Sequence, residues 1–293
     1  DGISVLEELK SLGLQSFYIM VSSHTEKGAE TSIQALELGA TDVVAKPAGK
    51  NFDEVKKALL TQLRPILAGL RVRYQVRMST VPPPRLPSIA PGGPAQNHPV
   101  NGYKPQVIAI GASTGGPKAL IELLPSLPAN LPVPIVMVLH MPAGFTTQMA
   151  TSLDSKCKIS VLEATDKQPL LPGTAYLAPA GTQMKVAIAP TGSRVIRVTN
   201  DPPIHNCKPS VDYLFRSVAL VYQERAIGVI LTGMGSDGAL GLKEMKGRGA
   251  ATIAQEKKSC IVYGMPKEAV SLGAVDVISP LSRIHTELLK RVR

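Results

Sequence analysis

The chain has 293 residues, a formal charge of +10, 44% hydrophobic residues and only 4% aromatics, with no Trp. That length accommodates two domains with a full core in each, and the aliphatic bias suits an Ala/Val/Ile/Leu-packed α/β protein rather than an aromatic-rich binding module. No apolar run is long enough to span a bilayer, and the basic charge is concentrated in no helix or aromatic-interleaved patch; this argues against membrane insertion and nucleic acid, and for solubility or an acidic protein partner. Cys157, Cys207 and Cys260 are far apart and form no Cys-x-x-Cys pair. They read as the reduced thiols of a cytoplasmic protein, not as a disulfide framework or a zinc site.

Taken in order, residues 1–66 read as alternating helix and strand. Gly2–Leu14 has Ile3, Leu6, Leu9 and Leu12 on one helical face. Phe17–Val21 reads as a buried strand, Thr31–Leu38 as a helix stopped by Gly39, and Asp42–Ala45 as a second strand ending at Lys46-Pro47. Asn51 or Asp53 then caps a helix through Leu63. This order implies parallel strands, half of a doubly wound sheet.

Residues 1–66 resemble the carboxyl-terminal half of a response-regulator receiver domain. Ser22 matches that family's switch hydroxyl, and Lys46 matches the lysine that contacts the phosphoryl group, although a lone lysine at a strand end also reads as a solvated charge. The family's acidic pair and phosphoacceptor aspartate would lie before Asp1, so the resemblance implies a truncated receiver without the residues that bind Mg²⁺. Such a half-sheet is expected to expose apolar residues such as Ile19 and Val44, to fold loosely and to inhibit whatever follows only weakly.

Residues 67–104 are rich in proline, as in Val81-Pro82-Pro83-Pro84-Arg85 and Pro91-Gly92-Gly93-Pro94, and read as an extended linker containing His98. From Pro105 the pattern changes. Gln106-Val107-Ile108-Ala109-Ile110 is a buried strand that runs into Gly111-Ala112-Ser113-Thr114-Gly115-Gly116-Pro117. Small residues around one hydroxyl suit a sharp strand-to-helix turn that presents Ser113 at the sheet edge beside free helix N–H groups. That geometry serves a nucleophile or a phosphate cradle. Lys118–Leu127 reads as the following helix, and Pro132–His140 as an apolar strand ending in an imidazole. Parallel strands joined this way bring their carboxyl ends to one edge, so Ser113 and His140 can meet there.

Between residues 156 and 200, short strands at Lys158–Ala164, Thr174–Pro179 and Arg194–Thr199 alternate with Gly/Pro turns, which suggests an antiparallel extension of the sheet. Ser210–Tyr222 returns to helix. Ala226–Thr232 is a buried strand that leads through Gly233-Met234-Gly235-Ser236-Asp237-Gly238 to a helix over Ala239–Lys246. Asp237 alone reads as that helix's cap. Together with Ser113 and His140 it gives one edge a hydroxyl, an imidazole and a carboxylate. Ala251–Ala254 is a further strand and Pro266–Ser271 a short helix.

The segments Gly111–Gly116, His140-Met141-Pro142, Leu231–Gly238 and Tyr263-Gly264-Met265-Pro266 resemble the chemotaxis protein-glutamate methylesterase family, which couples a receiver to a serine-esterase domain. The resemblance implies an α/β chain in three parts: the partial receiver sheet of residues 1–66, the linker of 67–104, and a larger doubly wound, mostly parallel catalytic domain over 105–293. It implies Ser113 as nucleophile, His140 as general base, Asp237 as the acid that orients it, and Thr114 and Met234 as oxyanion donors, with no cofactor for catalysis. It implies methylated chemoreceptor cytoplasmic domains as substrate, glutamine deamidation at the same sites, and a chemotaxis histidine kinase as partner of an intact receiver. Cys207 stands where that family is expected to carry histidine, which bears on substrate contacts or loop packing. The rival readings are a nucleotide-binding or a DNA-binding output. The first wants an acid where His140 stands, and the second wants a compact helical reader that the pattern after Pro105 lacks.

Overall fold

Strand and helix alternate through the computed structural model, which describes residues 1–14, 16–23, 25–47, 49, 51–78 and 103–292. The amino-terminal elements are α1 (Gly2–Ser11), β1 (Ile19–Ser22), α2 (Glu26–Glu37), β2 (Asp42–Ala45) and α3 (Phe52–Met78). Asp1 caps α1 and Thr25 caps α2, each through a side-chain oxygen that accepts backbone N–H bonds. β1 and β2 pair in parallel as a two-stranded sheet.

Two expectations for this region are corrected. Helix α3 continues to Met78, so the stretch expected to begin an extended linker at residue 67 is helical; the proline-rich run of 79–102, including His98, lies outside the described residues. The half-sheet is also not left bare. Val44 is only 2% exposed, and Ile3, Leu6, Ile33, Leu36 and Val43 belong to one apolar cluster with Ala112, Leu120 and Leu139 of the carboxyl-terminal part. Helix α2 supplies most of this contact, and its Glu37 pairs with Lys156 and Ser152.

The carboxyl-terminal part contains β3 (Val107–Ala112), α4 (Gly116–Leu123), β4 (Ile135–Leu139), α5 (Thr146–Asp154), β5 (Ser160–Glu163), β6 (Thr174–Leu177), β7 (Gln183–Ile188) and β8 (Arg194–Thr199). It continues through α6 (Val211–Tyr222), β9 (Ala226–Ile230), α7 (Ala239–Gly247), β10 (Ala251–Gln255), α8 (Met265–Ser271), β11 (Val277–Ser279) and α9 (Leu281–Val292). Seven strands form one sheet in the order β11-β10-β9-β3-β4-β6-β5, every neighbouring pair parallel. Strands β5 and β6, expected to run antiparallel, join this parallel sheet. Only β7 and β8 are antiparallel, and they form a separate ribbon.

The central strand shows why both faces must be covered. Ile108 and Ile110 of β3 enter the core layer that includes α4, α5 and α9, whereas Val107 and Ala109 enter the layer of α6, α7 and the ribbon. All six β3 residues are buried. Among the described residues, no helix is long and apolar enough to cross a membrane.

Candidate active site

The strand order β9-β3-β4 puts the carboxyl ends of three buried strands side by side, and the loops that leave them form the site. After β3 the chain turns at Ser113 into α4. Gly115 makes that turn at φ +75°, a left-handed conformation that disfavours a side chain. Ser113 N–H donates to Thr232 C=O at 3.0 Å, and Gly116 N–H donates to Ser113 C=O at 2.6 Å. Thr232, 1% exposed, ties the loops together. Its hydroxyl donates to Thr114 C=O at 2.9 Å and accepts from the N–H groups of Ile261 at 3.1 Å and Val262 at 3.0 Å. Gly233 must be glycine because the loop passes so close to the serine. A Cβ there would lie 2.8 Å from Ser113 Cβ and 2.2 Å from Met265 Sδ.

His140 follows β4 directly. Its N–H donates to Ala112 C=O, and Ala112 pairs with Leu139, so Ser113 and His140 are the next residues across the two strands. His140 Nε2 lies 2.9 Å from Asp237 Oδ2. The remaining lone pairs of Asp237 are taken by the start of α6: Oδ1 accepts from Ser210 Oγ at 2.7 Å and Asp212 N–H at 3.0 Å, and Oδ2 accepts from Val211 N–H at 2.7 Å. Asp237 therefore does not cap the helix that follows it, whose N-cap is Gly238. It sits against the amino terminus of α6, where backbone donors and the helix dipole favour a negative charge. Burial alone would raise its pKa, but the hydrogen bond and charge of His140, with the N–H groups of Asp212 and Val211, hold it below the usual carboxylate value. For His140, burial works against the charged imidazolium, but the hydrogen bond and charge of Asp237, helped by the neighbouring Cys207, outweigh it and raise the pKa to about 9.

A family model described as CheB methylesterase matches residues 108–288. The chain belongs to the CheB methylesterase family. A curated relative from Desulfotalea psychrophila, named protein-glutamate methylesterase/protein-glutamine glutaminase, is 42% identical over all of this chain and 82% of its own length. A relative of the same name from Chromohalobacter salexigens is 44% identical over 99% of this chain and 79% of its own. Among solved structures, the Thermotoga maritima CheB methylesterase catalytic domain matches with a TM-score of 0.62 and 38% identity, covering 64% of this chain and 99% of that domain. CheB membership leaves the nucleotide-binding and DNA-binding readings without support.

Of the residues singled out from sequence, the CheB fold brings His140 and Asp237 into direct contact and places Ser113 at the adjoining strand end. Thr114 and Met234 lie on the two loops that flank Ser113; Thr114 is buried and Met234 is 40% exposed. Helix α4 begins only at Gly116, so Thr114 precedes the helix rather than starting it. Ser22 and Lys46 end β1 and β2 side by side, with Lys46 N–H donating to Ser22 C=O at 2.6 Å.

Three features escaped the sequence. The sulfur of Cys207 lies within 4.8 Å of a His140 ring nitrogen, a proximity created by the loop between β8 and α6 that spacing alone does not reveal. Asp42, at the start of β2, reaches the nucleophile turn: its buried carboxyl accepts from the N–H of Val43 at 2.9 Å, from the N–H of Gly115 and from the hydroxyl of Thr114. Helix α3 also touches the site, since Gly69 lies against Val262, whose carbonyl receives Gly233 N–H at 3.0 Å. The amino-terminal half therefore makes contacts at the Ser113 turn itself.

Proposed function

We propose that the chain is a protein-glutamate methylesterase and protein-glutamine glutaminase in which Ser113 is the nucleophile, His140 the general base and Asp237 the acid that orients it. The 2.9 Å contact between His140 and Asp237, at the strand end adjoining Ser113, carries this reading. Because Nε2 holds the bond to Asp237, Nδ1 is the nitrogen left to take the serine proton. Ser113 Oγ attacks the carbonyl of a glutamate methyl ester as His140 accepts that proton, and Asp237 stabilises the imidazolium. The backbone N–H groups of Thr114 and Met234 face the developing oxyanion. The proton passes from His140 to the departing methoxide, and methanol leaves. His140 then deprotonates a water that attacks the acyl-enzyme, releasing the glutamate and restoring Ser113. With glutamine in place of the ester, ammonia is the leaving group.

The substrate in this reading is the set of methylated glutamates on chemoreceptor cytoplasmic domains, so the chain works in the cytoplasm in chemotaxis adaptation. Its charge of +10 suits an acidic, glutamate-rich surface. Residues 1–78 act as receiver sequence packed on the catalytic part, residues 79–104 as the linker, and a chemotaxis histidine kinase as the partner of an intact receiver. Incubating the chain with a receptor fragment methylated on its glutamates should release methanol. A chain that released none would overturn the reading.

A further inference from the structure

Cys207, read from its spacing as an ordinary reduced thiol, does not stand alone. An imidazole nitrogen of His140, the sulfur of Cys207 and a carboxylate oxygen of Asp237 lie within 4.8 Å of one another. Bonds of about 2.0–2.3 Å from a tetrahedral zinc ion place its ligand atoms roughly 3.3–3.7 Å apart. Side-chain rotation can close the remaining gap, because His140 and Cys207 are both only half-buried. The backbone that carries Cys207 is fixed: its N–H donates to Ile204 C=O at 2.8 Å, and its own C=O accepts from Ile204 N–H at 3.1 Å and Gln183 Nε2 at 3.3 Å. Asp237 is held by the α6 terminus as described above. Nitrogen, sulfur and oxygen donors on rigid supports are the donor set of a borderline-soft divalent ion, and the thiolate disfavours Mg²⁺ and Ca²⁺.

We propose that His140, Cys207 and Asp237 form a binding site for a thiophilic divalent cation such as Zn²⁺, and that the ion switches the esterase off by occupying the catalytic imidazole. The cation takes Cys207 as thiolate and His140 as neutral imidazole, the displaced protons go to solvent, and no electron is transferred. The metal site stands on geometry alone. The inhibition rests in addition on the reading of His140 as general base.

The two parts are tested separately on the full chain. Titration with Co²⁺ should give a thiolate-to-cobalt charge-transfer band in the near ultraviolet, saturating at one ion per chain, and Zn²⁺ should bleach it. Cys207→Ala should lose the band and bind Zn²⁺ at least tenfold more weakly in equilibrium dialysis, while Cys157→Ala should retain both. Circular dichroism checks that each variant is folded, and the spectrum of the unaltered chain decides the matter even where a variant is not. A cobalt complex without a thiolate band, or a folded Cys207→Ala that binds Zn²⁺ as tightly as the parent, would overturn the site. Methanol release should fall at least tenfold with stoichiometric Zn²⁺, recover with a chelator, and be indifferent to Mg²⁺. An enzyme fully active with the ion bound would leave the site standing and overturn the switch.

Discussion

The two parallel sheets each send a buried carboxyl to the Ser113 turn, and the two groups behave in opposite ways. Asp237, from the seven-stranded sheet, is 3% exposed, meets an imidazole and the amino terminus of α6, and is held ionised. Asp42, from the two-stranded sheet, is 9% exposed; it meets two backbone N–H groups and a hydroxyl but no cation, and burial pushes its pKa up to about 7. Burial imposes the same kind of cost on both. Hydrogen bonds from neutral donors offset only part of it, and a charged partner reverses the sign. The proposed catalytic region is therefore the one in which a carboxylate is kept charged against burial, whereas the amino-terminal region holds an acid that gives up its charge near neutrality.

The largest test of this contrast is removal of the group that the charged carboxylate ultimately serves. Ser113→Ala should lower methanol release by about 10⁵–10⁶, because the members of a triad act as one unit, with the melting temperature little changed. A variant that retained more than a few per cent of activity would exclude Ser113 as nucleophile. Asp237→Asn should cost about 10⁴ in kcat through loss of the correct imidazole tautomer. It also leaves the amide facing the N–H groups of α6, so some loss of stability is expected in thermal melts; activity at the parent rate would reduce Asp237 to a brace for α6.

The next effect is in pH. An unperturbed imidazole base would give an acid limb near ~6.5. Asp237 and Cys207 raise His140 to about 9, so the basic form appears only as pH rises through that value. kcat/KM should climb close to tenfold per pH unit between 7 and 8.5, bend over near 9 and level off only above it. Cys207→Ala removes one of the two groups that raise it and should move the limb to lower pH. Identical profiles for parent and variant would show that Cys207 does not interact with the catalytic imidazole.

The sequence made the sheet edge that carries Ser113 and His140 legible because its signals are local. A buried strand followed by Gly-x-Ser-x-Gly-Gly dictates a turn, and one βα crossover to an apolar strand ending in His140 dictates adjacency. What it hid was long-range. Asp237 looks like a cap for α7 because Ala239 follows so closely, whereas its hydrogen bonds go to α6, some 25 residues earlier. The short strands of residues 156–200 look antiparallel because Gly/Pro turns separate them, yet β5 and β6 join the parallel sheet, for residues 164–173 carry the chain back between them. Val44 looks exposed when residues 1–66 are considered alone, and becomes buried once α2 and β2 share a core with α4 and β4. Asp42 carries no motif at all; only packing shows that its carboxyl meets Thr114.

The smallest expected effect is at Asp42 itself. Its folded pKa lies above the ordinary carboxylate value of 3.8, at about 7, so between those limits the folded chain holds a proton that the unfolded chain has released. Folding stability must therefore fall as pH rises through that window, the reverse of the usual salt-bridged aspartate. Above pH 7 the group is ionised in both states and the cost is constant. Asp42→Asn keeps an acceptor oxygen for Val43 N–H, Gly115 N–H and the Thr114 hydroxyl but carries no charge at any pH. The variant should already melt slightly above the parent at pH 5 and further above it at pH 8, by about 2–4 °C for each ~1 kcal/mol relieved. The difference should open gradually between the two, because the parent weakens there and the amide does not. Melting curves that stay parallel from pH 5 to 8 would mean that Asp42 keeps the same charge throughout, and the contrast with Asp237 would then rest on geometry alone.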